Sequence, residues 1–454
     1  MRRPRRIPNV APATSSALPR SLRSLHLPPR ALAPVFLLLV VLFSTIAYFF
    51  SATASVPLRH SGRPLSSRRP LSLPPAPSSL FSSSLESRST PPDGPRGRVL
   101  LEPPSSQLFD GVADRLQSIV GRINSPLESK AKRVKLGDLS VSEMGIGTWA
   151  WGNQLLWGYN EEMDAELEEV FELCVSKGIN LFDTGDSYGT GRLEAQSEKL
   201  LGEFLSSLSE SQRGDINFAT KLASYPWRLT PTQFLRAAQK SQERLQGGLK
   251  IGQLHWSVSN YAPWQEKALW DGLLLMKDEG IVKEVGVSNY GPKQLKKVYD
   301  YLKSKEVTLG SNQVQYSLLS RRDDIIEANN ERGILTIGYS PLCLGLLTGR
   351  YNETHLPKSQ VRRQLFKQLL PKAKPLLDEL NAVATSRGKT MSQVAINWCM
   401  AKGCVPIPGA KTKAQAIENL GALGWTLSKG EVEALDTAAS RSKVETVQNI
   451  FMTQ

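Results

Sequence analysis

The stretch Ile179-Asn-Leu-Phe-Asp-Thr-Gly-Asp-Ser-Tyr-Gly189 decides the fold. A short apolar run ends on an acid, Asp183, and a polar loop punctuated by glycine then carries Tyr188. The run is too short for a helix and reads as a strand buried on both faces. The same texture recurs along the chain. It predicts strands near 143–148, 179–183, 216–221, 252–256, 283–288, 309–314, 334–339 and 404–408. Amphipathic stretches between them predict helices over 165–177, 195–208, 232–245, 263–279, 292–303, 323–332, 374–387, 392–402 and 414–420. Gly178, Gly280, Gly333, Gly388 and Gly403 stand where helices should stop. Eight strands alternating with helices predict an α/β fold, a (β/α)8 TIM barrel. The competing doubly wound sheet would want a GxGxxG turn after its first strand, and no such string occurs.

Residues 1–128 read differently. The chain has 454 residues and a formal net charge of +14. Residues 1–85 hold eleven Arg and neither Lys nor acid, so +11 of that charge sits there and +3 remains for the rest. The high isoelectric point therefore belongs to a leader and describes no nucleic-acid-binding face. Residues 31–58 carry no charge and are flanked by Arg30 and Arg59. The span 33–54 within them is long enough to be a transmembrane candidate. The flanking Ser-, Pro- and Arg-rich, acid-poor composition predicts a plastid transit leader instead. The two readings give a chloroplast protein or, alternatively, a single-pass membrane protein. The expected division is a leader over 1–128 and a barrel over 129–454. Cys174, Cys343, Cys399 and Cys404 form no CxxC pair and no Cys/His cluster, so neither a disulfide framework nor a metal site is expected.

In a parallel barrel the chemistry lies at the C-terminal ends of the strands. Asp183, Lys221 and His255 fall at three consecutive strand ends, and Tyr188 lies in the loop after the first of them. Singly, each has an ordinary structural reading: a cap, a rim aromatic, a solvated charge, a core histidine. Together they suit carbonyl reduction, which needs hydride on carbon and a proton on oxygen. A phenol near pKa ~10 is a reluctant acid, and a neighbouring ammonium favours its ionised form. On this reading Tyr188 donates the proton, Lys221 tunes it, Asp183 holds Lys221, and His255 directs the substrate oxygen. The strand-end loops are rich in aromatics, among them Trp149, Trp151, Trp157, Tyr225, Trp227 and Trp256. Trp149, Trp151, Trp227 and Trp256 are the expected walls for a flat aldehyde.

The ordered strings GIGTWAWGN (145–153), LFDTGDSYG (181–189), ATK (219–221), QLHW (253–256), VGVSNY (285–290), NQVQYS (312–317), YSPL (339–342) and VPIPGAKT (405–412) resemble the aldo-keto reductase superfamily over about 134–454. The resemblance implies an NADPH-dependent oxidoreductase whose tetrad is Asp183, Tyr188, Lys221 and His255. It places Thr148 and Trp149 beside the cofactor. It gives the nicotinamide carboxamide to Ser288, Asn289 and Gln313, and a stacking face to Tyr339. The pyrophosphate segment maps onto Ser340, Pro341, Leu342, Gly345, Leu346, Thr348 and Gly349. The adenosine end maps onto Lys411, Thr412, Gln415, Glu418 and Asn419. Gln415 stands where an Arg is usual for the ribose 2′-phosphate; Lys411 and Lys413 are the cations that replace it. The strings WAWGNQLLWGY, DSYGTGRL, YPWRLT, GQLHWS, VSNYGPKQL, VAINWC and QNIF narrow the resemblance to plant plastid members that reduce pyridoxal. Pyridoxal is then the expected partner, with free pyridoxal favoured over its phosphate because no phosphate clamp is visible. A monomer is implied. A broad-specificity aldehyde reductase and a nicotinamide-sensing regulatory subunit are the competing functions.

Overall fold

The chain enters the fold through a hairpin that strand texture did not announce. β1 (Arg133–Leu136) pairs antiparallel with β2 (Leu139–Ser142) around the two-residue turn Gly137-Asp138. Gly137 takes φ +56°, which suits such a tight turn, and the Asp138 N–H donates to the Glu284 carboxylate at 2.9 Å. Leu136 and Val141 are buried with Leu181, Ala219, Ile251, Ile337, Val405 and Ile407, so the hairpin stops the floor of the barrel.

This computed structural model describes residues 129–189, 194–442, 444 and 451–454. The leader, with its 33–54 segment, lies outside the described residues. Among those described, no helix is long and apolar enough to cross a membrane.

Eight parallel strands follow in chain order: β3 (Ile146–Gly147), β4 (Leu181–Asp183), β5 (Asn217–Leu222), β6 (Leu249–Leu254), β7 (Glu284–Ser288), β8 (Leu309–Gln315), β9 (Leu335–Tyr339) and β10 (Val405–Ile407). The Gly145 N–H donates to Pro406 O at 3.0 Å and the Gly147 N–H to Pro408 O at 3.2 Å, which joins the first strand to the last. The fold is the expected TIM barrel. β6 begins three residues before its predicted start and ends at Leu254, so His255 is the first residue beyond it. Polar Lys250 hid the beginning of that strand.

Among the described residues, ten helices of eight or more residues pack around or beside the sheet: α1 (Asp164–Ser176), α2 (Gln196–Ser207), α3 (Pro231–Arg244), α4 (Glu266–Asp278), α5 (Pro292–Lys303), α6 (Asp323–Asn330), α7 (Gln360–Ser386), α8 (Met391–Ala401), α9 (Lys413–Leu420) and α10 (Lys429–Arg441). α7 starts well before the predicted 374. Pro371 and Pro375 lie inside it, and a proline reads as a helix break. The helix persists because Phe366, Leu370, Leu376 and Leu380 bury a second core with Trp398 and Leu435. α10 was not predicted, although Ser428 and Glu431 form a capping box at its start.

Period-two alternation sorts each strand. Phe182 and Phe218 face the helices with Phe171, whereas Leu181, Ala219 and Ile251 face the barrel axis. Two residues further on, the same inward face carries Asp183, Lys221 and Gln253. Gly286 makes room for this polar layer: a Cβ there would lie 2.2 Å from Ser311 Oγ and 3.0 Å from Gln253 Cγ. Outside the barrel, wholly buried Glu198 of α2 accepts the Thr220 hydroxyl of β5 and the Arg244 guanidinium of α3 at 2.7 Å. Arg244→Met leaves that carboxylate buried and unpaired. It should cost about 3 kcal/mol in denaturant unfolding, and Glu198→Gln clearly less, since Gln still meets Thr220. Equal losses would show that the ion pair does not carry the packing.

Candidate active site

Asp183 is the hub of the inward polar layer. Its Oδ2 accepts the Lys221 ammonium at 2.5 Å, and its Oδ1 accepts Gln313 Nε2 at 2.7 Å and Gln253 Nε2 at 3.5 Å. Lys221 Nζ also donates to Thr184 O at 2.8 Å. The loop after β4 brings Tyr188 over this pair, its ring centroid 5.0 Å from Lys221 Nζ. His255 is held at the end of β6 by its N–H bond to Leu222 O at 3.0 Å, and its ring lies 5.9 Å from that of Tyr188. The four residues that sequence reading singled out are thus adjacent. Among the described residues, His255 Nδ1 is buried without a partner.

Burial sets the protonation of the group. It holds the Tyr188 phenol well above its ordinary value, and the Asp183 and Asp186 carboxylates push the same way. The expected acidification of Tyr188 by Lys221 is not met, because the ammonium is matched by Asp183 at 2.5 Å. Burial lowers His255 well below 6.5, helped by the Lys221 and Arg228 charges. Burial also draws Asp183 up and Lys221 down, while their mutual attraction opposes both shifts. At neutral pH the centre presents a phenol and a neutral imidazole.

A hydrogen-bonded wall continues from the hub. Ser288 Oγ donates to Gln313 O at 2.9 Å, and Asn289 Nδ2 donates to Ser288 Oγ at 3.1 Å and to His255 O at 3.0 Å. Tyr339 OH donates to Asn289 Oδ1 at 2.9 Å. Asn289 takes φ +65°. The chain then turns through left-handed positions at Ser340, Cys343, Leu344, Gly345 and Gly349. Within this turn Thr348 Oγ1 donates to Gly345 O at 2.7 Å, and Leu346 is a buried core residue. Lys411 Nζ donates to Trp157 O at 2.7 Å. Gln415 Oε1 accepts the Lys411 N–H at 2.8 Å, and its own N–H donates to Thr412 Oγ1 at 3.3 Å. Glu418 pairs with Arg350 at 2.8 Å, and Asn419 Nδ2 donates to Gly409 O at 3.2 Å. Lys413 points elsewhere, pairing with Glu169 of α1 at 3.2 Å.

The pattern of the Aldo/keto reductase family matches residues 143–440. This chain belongs to the aldo/keto reductase family. It is 54% identical over 335 residues to the pyridoxal reductase, chloroplastic, of Arabidopsis thaliana, covering 72% of this chain and 92% of that protein. It is 28% identical over 340 residues to the aldo-keto reductase YhdN of Bacillus subtilis, covering 69% and 95%. Among solved structures, the glycerol dehydrogenase AKR11B4 of Gluconobacter oxydans superposes with a TM-score of 0.59 at 24% identity, covering 72% of this chain and all of that one. That likeness speaks for the fold. Family membership makes the chain an oxidoreductase enzyme that works with a nicotinamide cofactor.

Within this aldo/keto reductase the expected aromatic wall divides. Trp151 is a core residue: it is fully buried, its Nε1 donates to Ala410 O at 2.9 Å, and Phe204 packs edge-on against it. Thr148 is buried as well, its hydroxyl bonded to Asp183 O at 2.8 Å. Trp149 and Trp227 are partly exposed, the latter stacked on Tyr225 with centroids 4.6 Å apart. Trp256 is buried behind His255, its ring 4.9 Å away and its Nε1 bonded to Tyr261 OH at 2.6 Å. Two cations flank the site. Arg228, which the sequence places beside Trp227, pairs with Asp186, and Arg362 of α7, which sequence reading missed, lies over Trp157 and bonds Leu344 O at 2.8 Å. Asp186 within the Tyr188 loop was a readable signal; nothing in the sequence of α7 marks Arg362. Trp151→Ala should cost about 3–5 kcal/mol in unfolding free energy, the usual cost of a buried aromatic cavity. Trp149→Ala should leave the unfolding midpoint nearly in place. Similar losses in both would remove the distinction between core and mouth.

Proposed function

We propose that this protein reduces pyridoxal to pyridoxine with NADPH in a plastid, Tyr188 giving the proton to the aldehyde oxygen. The reading divides the chain into a targeting leader over 1–128 and the barrel enzyme over 129–454. The observation that carries it is the 54% identity over 92% of the plant pyridoxal reductase, beside a Tyr188 held as a phenol next to Lys221 and His255.

The residues present fit a nicotinamide dinucleotide phosphate. Ser288, Asn289 and Gln313 would hold the carboxamide, Tyr339 would flank the ring, and the turn from Ser340 to Gly349 would face the pyrophosphate. Lys411 and Arg362 both lie against the Trp157 ring, 6.0 and 5.6 Å from its centroid. Among the described residues, Arg362 Nε and Trp157 Nε1 are buried without partners. Two like charges and two unmatched donors around one ring suit a phosphate, which supports NADPH over NADH.

When bound, the nicotinamide supplies the hydride for the aldehyde carbon. The protein handles the oxygen. His255, neutral, directs it, and Tyr188 protonates it as charge develops there. Lys221 stands 5.0 Å from the Tyr188 ring to stabilise the phenolate left behind, and Asp183 keeps Lys221 in place. General acid assistance of this kind is worth roughly 10²–10⁴-fold.

Tyr188→Phe should therefore lower kcat for pyridoxal by at least about 10²-fold while NADPH still binds, read by fluorescence titration. Unchanged turnover would refute the donor role. A wild-type enzyme no faster on pyridoxal than on small reactive aldehydes would favour the broad reductase. The pH profile follows from the same groups. The acid form of Tyr188 works and is lost only as pH rises through a raised pKa, so reduction should stay level from about pH 7 to pH 10. A falling limb near neutrality would contradict this. Arg362→Met should weaken NADPH about tenfold or more and NADH little.

A further inference from the structure

Arg228 lies on the loop between β5 and α3, its side chain only 17% exposed. Its guanidinium carbon stands 5.1 Å from the centre of the Tyr225 ring and 5.9 Å from that of Phe234. One terminal nitrogen, Nη1, donates to Ala223 O at 2.9 Å and pairs with Asp186 Oδ2 at 2.6 Å. Asp186 is itself bolted to the end of β5: its Oδ1 accepts the Ala223 N–H at 3.1 Å, and its own N–H donates to Lys221 O at 3.0 Å. The Arg–Asp pair therefore ties the β5–α3 loop to the loop that carries Tyr188. Its charges reach the groups that address the substrate oxygen, Asp186 acting on Tyr188 and Arg228 on His255.

A guanidinium has five N–H donors. Nη1 gives one of them to Ala223 O and is ion-paired with Asp186 Oδ2. Among the described residues, no hydrogen-bond acceptor meets Nε or Nη2 of Arg228. A largely buried cation with donors unfilled, beside the Tyr225–Trp227 stack, is poised for an acceptor that arrives with the substrate. An anionic oxygen suits such donors best, because a charge-assisted hydrogen bond is roughly twice as strong as a neutral one.

We propose that Arg228 recognises an ionised oxygen next to the aldehyde, so that the site selects aromatic aldehydes bearing an ortho phenolate. The proposal rests on the pyridoxal reading and deepens it. The ring hydroxyl beside the aldehyde of pyridoxal is ionised near neutral pH while the ring nitrogen holds a proton. With the carbonyl at Tyr188 and His255 and the ring along Tyr225 and Trp227, that oxygen is the substituent presented to Arg228. Asp186 keeps Arg228 aimed and stops it from bonding the carbonyl oxygen itself.

The test compares kcat/KM for 3-hydroxypyridine-4-carboxaldehyde with that for pyridine-4-carboxaldehyde, which lacks only the hydroxyl. Full-length protein is used with NADPH. The wild type should prefer the hydroxylated aldehyde, and Arg228→Met should reduce that preference about tenfold or more, chiefly through KM. Arg228→Lys, which keeps the charge and guards against a folding defect, should fall between them. The double variant Asp186→Asn with Arg228→Met should stay as unselective as Arg228→Met. Recovery of selectivity in the double variant would mean that the unpaired Asp186 charge caused the loss, and the proposal falls. It falls equally if both Arg228 variants keep the wild-type preference. If Arg228 dependence appears only with pyridoxal 5′-phosphate, the anion recognised is the phosphate and the phenolate assignment is overturned. Poor turnover of pyridoxal itself, with selectivity still set by Arg228, would defeat the pyridoxal reading and leave the Arg228 assignment standing.

Discussion

The ion pair between Lys221 and Asp183 inside the barrel is the constraint on which the rest depends. Both side chains are almost completely buried, and removing two charges from water costs several kcal/mol for each. Such a pair survives only where further hydrogen bonds complete it. Gln313 and Gln253 serve the carboxylate, and Thr184 O serves the ammonium. These partners come from β6, β8 and the end of β4, and Lys221 itself from β5, so the pair demands a strand register that brings all of them to one height. Gly286 follows from the same demand, since a side chain there would enter the polar layer. The apolar floor of Leu181, Ala219 and Ile251 one step below keeps water from that side.

The ammonium, so closely matched by Asp183, does not draw the Tyr188 phenol down. The phenol answers mainly to burial and to the Asp183 and Asp186 carboxylates. The proton therefore stays on the oxygen until a substrate draws it off. A phenol ionised in advance would be a base at the start of the reduction and could give nothing to the aldehyde. Lys221 is better placed to stabilise the charge that appears after proton transfer than to lower the acidity barrier before it.

What the sequence disclosed follows periodicity. Apolar runs ending in Asp183, Lys221 and the neighbourhood of His255 marked the strands and the face on which chemistry sits, because alternation along a strand is rigid. Loops have no such period. Trp149 and Trp151 are two residues apart, yet one opens to the mouth and the other is core, set apart by contacts distant in sequence, its bond to Ala410 O and its packing on Phe204. Lys411 and Lys413 looked equivalent until α1 claimed Lys413 through Glu169. Arg362 was invisible for another reason: it lies in a proline-bearing helix whose existence depends on a second core that no local pattern announces. The hairpin at Gly137-Asp138 was legible in principle, as a two-residue turn between alternating apolar pairs, but each strand has only four residues.

The neutral state of His255 has its own structural source. Burial is the largest cause of its lowered pKa, so the packing around its ring matters more than any single charge. Trp256 supplies much of that cover with its ring 4.9 Å away, and Phe451 stacks on Trp256 at 4.5 Å. Phe451 is anchored in turn, two residues on, by Thr453, whose N–H donates to Asn289 O at 3.1 Å and whose hydroxyl accepts the Gly291 N–H at 3.0 Å. Asn289 also bonds Tyr339 and the carbonyl of His255. The segment that shields the imidazole is therefore fastened to the wall expected to hold the nicotinamide. Substrate-oxygen direction and cofactor placement thus share one small set of hydrogen bonds, and a disturbance of Asn289 would reach both.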